Sequence, residues 1–86
     1  MGRYEKLLLK ILSGRADADI SFSDLVALLE KHGFKQRTKG SHHIFTRSDI
    51  RERLNLQAEA GKAKRYQVKQ VRDIFTKYAL GDDTDE

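Results

Sequence analysis

The segment "RYEKLLLKILS", residues 3–13, repeats apolar side chains at helical spacing through Tyr4, Leu7, Leu8, Ile11 and Leu12, and predicts an amphipathic helix. A polar connection, "GRADADI", follows, and helical spacing then returns in "ISFSDLVALLEKHGF". Ser21 is placed to cap this second helix, with Asp24 three positions on as a short version of the capping box and Ile20 set to staple onto Leu25. Gly33 suits the left-handed conformation past the last turn, and Phe34 can fold back on Leu29. The second helix should therefore run from near Phe22 to near His32.

The period then shortens. "FKQRT" and "HHIFTR" have the length and composition of strands and are joined by "KGS", a hairpin-sized connection, while "ERLNLQ" offers a third strand after the turn "SDI". "AEAGKAK" is small and polar and predicts a loop, after which "YQVKQVRDIFTKYALG" resumes helical spacing through Val68, Val71, Ile74, Phe75 and Tyr78, with Gly81 as its stop. The order is α-α-β-β-β-α, an α+β fold of two layers in which a three-stranded antiparallel sheet packs on helices. One domain over residues 1–81 is expected, with Leu8, Ile11, Leu25, Leu28, Leu29, Ile44, Leu54, Val71, Ile74 and Phe75 in its core and a disordered acidic tail over 82–86.

Composition removes several classes of function. No stretch approaches the roughly 20 apolar residues of a membrane span, and the amphipathic opening lacks the cleavage site of a signal peptide, so a cytoplasmic protein is expected. The chain has no cysteine, hence no disulfide, thiolate zinc site or cysteine nucleophile. Charge is unevenly spread. Residues 1–34 carry five basic and five acidic side chains, residues 35–72 carry eleven and three, and residues 73–86 carry one and five. The modest overall charge of +4 thus conceals a concentrated basic middle, the footprint of a polyanion-binding surface.

Within that middle lie two adjacent histidines, His42 and His43. Neighbouring strand residues point to opposite faces, so His42 belongs with Ile44 and Thr46, and His43 with Phe45 and Arg47. Which of the two faces meets the helices is not fixed by the pattern. His32, in the last turn of the second helix, is explained by the orphan carbonyls there. A metal site finds little support, because adjacent strand positions diverge and only one other histidine is available.

Gly40 and Ser41 put little bulk at the start of the strand, and Lys35, Arg37, Lys39, Arg47 and Arg53 lie on or beside the sheet. A histidine among phosphate-binding cations suits RNA cleavage without a cofactor or metal: the imidazole removes the ribose 2′-hydroxyl proton, the oxygen attacks phosphorus, and the cations stabilise the developing charge. A non-catalytic RNA-binding module would use the same basic face. A protein-interaction module is a third reading, and the outer apolar residues of the first helix leave homo-oligomer formation open.

The stretch "LVALLEKHGFKQRTKGSHHIF", residues 25–45, resembles the HicA toxins of toxin–antitoxin pairs: a helix ending in Gly-Phe, a basic strand, then Gly-Ser-His opening the next strand. "YQVKQVRDIFTKYAL" is similar to the closing helix of that family, and the likeness covers residues 21–80, with residues 1–20 as an addition. The resemblance implies a fold like a double-stranded RNA-binding domain, a metal-independent endoribonuclease acting on mRNA, and inhibition by a HicB-like antitoxin. It implies His42 as the catalytic histidine, the one directly after Gly-Ser; the leading reading then makes His42 the general base, with Gly40 and Ser41 shaping the strand entry and His43 a supporting or edge residue. Lys35, Arg37, Lys39, Arg47, Lys62 and Lys64 are then the RNA-contacting residues. One departure stands out: relatives commonly carry Val-Pro and a second histidine after the third strand, where this chain reads "LNLQAEAGKAKRYQ".

Overall fold

The computed structural model describes residues 2–80. Within them the chain forms α1 (Arg3–Ser13), α2 (Phe22–Lys31), β1 (Lys35–Lys39), β2 (His42–Arg47), β3 (Ile50–Leu56), β4 (Ala58–Glu59), β5 (Lys62–Ala63) and α3 (Arg65–Lys77). The main sheet is an antiparallel meander in the order β1-β2-β3. α3 lies against β3, and α1 touches both α2 and α3. The α2-β-β-β-α3 succession is the two-layer arrangement of a double-stranded RNA-binding domain.

Local chemistry sets the element boundaries. Ser21 caps α2 by accepting a 3.4 Å hydrogen bond from the Asp24 amide. Gly33, at φ 86°, occupies the left-handed region past the last turn, and the Phe34 amide returns to the Leu29 carbonyl at 3.1 Å. His32, the C-cap residue before Gly33, donates from Nδ1 to the Leu28 carbonyl at 2.9 Å, and its ring meets Phe75 edge-on at 4.9 Å. The local, structural role expected for His32 is the observed one.

One side of the sheet is apolar. Phe45, Ile50, Leu54 and Leu56 join Leu25, Leu28, Leu29, Phe34, Val68, Val71 and Phe75 in a single buried cluster, closed off by Leu8, Ile11 and Ile20. Burying an aliphatic or aromatic side chain of this size contributes about 1.5–3 kcal/mol. Ile44, expected in this core, is not there: it shares its face with His42 and lies half-buried on the opposite side of the sheet. Phe45, one position on, takes the core place instead and is fully buried.

Two further elements differ from expectation. "AEAGKAK" is not an irregular loop but contains the β4–β5 hairpin, turned through Ala60 and Gly61, both at positive φ. It is fastened to the start of α2 by Phe22 N–H to Gly61 C=O at 3.0 Å and Ala63 N–H to Ile20 C=O at 2.9 Å. α3 stops at Lys77, before Gly81, because Ala79 takes a left-handed conformation at φ 54°. Gly81 and the expected tail over 82–86 lie outside the described residues.

Polar anchors hold α1 in place. Arg72 on α3 makes a paired hydrogen-bonded ion pair with Asp17, at 2.9 and 3.1 Å, and donates to the Ile11 carbonyl at 3.1 Å. The Asp17 hydrogen bond raises the Arg72 pKa, so the guanidinium stays charged at any ordinary pH. Gln67, buried on α3, has an amide that fits the backbone of Gln57, donating to its carbonyl at 3.0 Å and accepting from its amide at 2.9 Å. The end of β3 is thereby tied to the first turns of α3.

Candidate nucleic-acid interface

β1 and β2 meet in the two-residue turn Gly40-Ser41, where Gly40 stands at φ 61° with nothing within 4 Å of a Cβ built there. The glycine is required by conformation rather than by space. The turn fixes the register Lys39↔His42, Thr38↔His43, Arg37↔Ile44 and Lys35↔Thr46. Residues opposite one another share a face, and β3 adds Asn55 opposite Ile44.

The two histidines therefore separate as parity requires. His43 turns toward the helices: its ring meets Phe22 edge-on at 5.0 Å, and its Nδ1 bonds the Gln36 oxygen at 2.7 Å, while the Gln36 nitrogen donates to Glu30 on α2 at 3.3 Å. It is half-buried and packs the sheet onto α2. His42 points to the other, uncovered face and is exposed, with its Nδ1 at 3.1 Å from the Asn55 side-chain oxygen. Ser41, beside it, receives a 3.0 Å hydrogen bond from the Gln57 side chain.

The uncovered face is also where positive charge collects. Lys35, Arg37 and Lys39 on β1 lie on it by register, and Arg51 and Arg53 on β3 by alternation with the buried Ile50, Leu54 and Leu56. No ion pair joins any of these five to a described acidic residue. Arg37, Thr38, Lys39, Ile44, Thr46 and Arg53 line a shallow depression of about 580 Å³ that reaches the cross-strand partner of His42. Unpaired cations on an open surface are the ones whose charge a phosphate backbone can neutralise.

The other cations expected to contact RNA sit elsewhere. Arg47 is on the helix-facing side with His43, and its Nε pairs with Asp49 at 2.9 Å. Lys62, on β5, pairs with Asp19 at 2.7 Å, and that hydrogen bond, reinforced by the charge of Lys62 itself, lowers the Asp19 pKa. Lys64 is the N-cap position of α3. Arg47 and Lys62 thus belong to structural ion pairs, and only Lys35, Arg37 and Lys39 of the six share a face with His42. Arg51 and Asn55, absent from the expected set, share it too. Their signal was the alternation of "IRERLNL", in which Arg51, Arg53 and Asn55 fall between residues of the core face.

Among the described residues, no group of three or more His, Asp or Glu side chains comes together in a way that could hold a metal ion. None of the described helices is long and apolar enough to cross a membrane. In comparisons with known proteins, residues 22–76 match a family model described as HicA toxin of bacterial toxin-antitoxin. No curated protein and no solved structure gave a significant match.

Proposed function

The chain belongs to the HicA toxin family, and from that membership we propose that it is the ribonuclease component of a toxin–antitoxin pair, cutting mRNA in the cytoplasm with His42 as general base. The supporting observation is the position of His42, exposed on a face that also carries five cations with no ion pair to any described acidic residue. RNA laid across this face meets Lys35, Arg37, Lys39, Arg51 and Arg53 through its phosphates. His42 removes the proton of a ribose 2′-hydroxyl, and the oxygen bonds to the adjacent phosphorus. The bond from phosphorus to the 5′-oxygen breaks, and the departing oxygen takes a proton from water. The products are a 2′,3′-cyclic phosphate and a 5′-hydroxyl.

Each step uses groups of the RNA, water and side chains on the open face, so metal-independent cleavage is proposed. Lys39, directly across from His42, is placed to stabilise the charge that develops on phosphorus oxygens. A HicB-like antitoxin is the proposed protein partner, and residues 1–20, which precede the matched region, are read as an addition to the family core. Incubating the purified protein with a structured mRNA in the presence of chelator tests the proposal. Cleavage by the parent and its loss by about 10²–10⁴ in rate for a folded His42→Ala variant are expected. RNA left intact by the parent would point to a binding module without catalysis.

A further inference from the structure

We propose that Asn55 is the positioning residue for His42, a role that rests on the ribonuclease reading of that histidine. Asn55 lies on β3 opposite Ile44, one diagonal step from His42 on the same open face, and its side-chain oxygen accepts from His42 Nδ1 at 3.1 Å. An amide oxygen can only accept, so this bond places the imidazole proton on Nδ1. The lone pair is then on Nε2, the nitrogen left for the 2′-hydroxyl. The bond also fixes the rotation of a ring that is otherwise exposed.

Three features of the sequence and structure support the assignment. Asparagine is depleted in strands, and Asn55 is exposed between the buried Leu54 and Leu56, so the position gives up strand propensity without a return in packing. An amide orients the ring without adding negative charge. A carboxylate in its place would stand next to Arg53 on β3, on the same face as Arg37 and Lys39 two strands away, weakening the attraction of that face for phosphate. Finally, the backbone carrying Asn55 is pinned on both sides. Leu54 and Leu56 are buried in the core, and Gln57 is held at its backbone by buried Gln67 while its side chain reaches Ser41, the residue before His42.

The test combines a structural and a kinetic reading of Asn55→Leu and Asn55→Asp in the full chain. Nitrogen NMR of the RNA-free protein reports the His42 tautomer directly. The proton is expected on Nδ1 in the parent and in Asn55→Asp, which keeps an oxygen acceptor, and that preference should be lost in Asn55→Leu. In cleavage assays Asn55→Leu should lower kcat by about 10- to 100-fold with little change in KM. Asn55→Asp should keep most of kcat and raise KM. An unchanged tautomer in Asn55→Leu overturns the inference, and so does a changed tautomer with parental kcat, while either result leaves the nuclease itself standing. A parent protein that does not cleave RNA overturns the nuclease reading instead, whatever the tautomer proves to be.

Discussion

The Tyr78 hydroxyl donates a 2.6 Å hydrogen bond to the Glu52 carboxylate, whose other oxygen accepts from the Lys77 ammonium at 2.7 Å. This arrangement ties the middle of β3 to the end of α3, across from the open face on which Arg51 and Arg53 lie. Lys77, followed by Tyr78, holds the Glu52 pKa at about 2, against an ordinary 4.5. Because the folded value is depressed, the contribution to stability is complete above about pH 4.5 and is lost as pH falls through about 2. The partner effect on Lys77 has the opposite sense: Glu52 raises its pKa above 10.5, so the pair weakens again as pH rises beyond that raised value.

Glu52→Gln should therefore flatten the acid limb of the stability profile. Urea midpoints measured between pH 7 and pH 2 should fall less in the variant than in the parent, and the gap between the two proteins should narrow at high salt, since Glu52 and Lys77 are partly exposed. Parallel curves for the two proteins would contradict the assignment.

Gln67 leads to a second expectation. Replacing it with leucine keeps most of the buried volume but strands the amide and carbonyl of Gln57, at about 1–3 kcal/mol for each group left unpaired. Denaturant unfolding of Gln67→Leu should show a loss of that order. A variant as stable as the parent would mean that water or a rearranged backbone satisfies Gln57.

The two classes of cation should behave differently toward RNA. Arg37→Ala removes a charge from the open face, and the slope of log affinity against log salt should fall by about 0.7–1. Lys62→Ala removes one already paired with Asp19 and should leave the slope near its parental value. Equal effects from the two variants would place RNA on both sides of the molecule.

Much of this architecture was legible in the residues. The capping serine, the Gly33-Phe34 stop and the period change near Lys35 gave α2 and the meander, since each rests on chemistry within a few residues. The parity of His42 and His43 was legible as well, but their direction was not. Each face of β2 mixes one large apolar residue with polar ones, so the choice was made by β3, whose buried Ile50, Leu54 and Leu56 fix the register of Phe45. That same long-range choice sent Ile44 outward. Arg47 and Lys62 looked like RNA contacts because sequence shows charge and not partners: Asp49 is two residues from Arg47, but Asp19 is 43 residues from Lys62 and reaches it only through the fold. The β4–β5 hairpin is not legible in the residues because its turn uses Ala60-Gly61 where Asn-Gly or Asp-Gly is the familiar signal.

Cleavage is proposed to begin with attack by a ribose 2′-hydroxyl that His42 deprotonates, and a substrate lacking that hydroxyl tests the attack most directly. Once the parent protein's cleavage site in a short RNA is mapped, the same RNA is made with a single 2′-deoxynucleotide on the 5′ side of the scissile phosphate, and binding and cleavage are followed together. Unchanged binding with cleavage abolished at that one site, and a 2′,3′-cyclic phosphate end on the all-ribose product, is the predicted result. Cleavage of the deoxy-substituted RNA at the parental rate would contradict it.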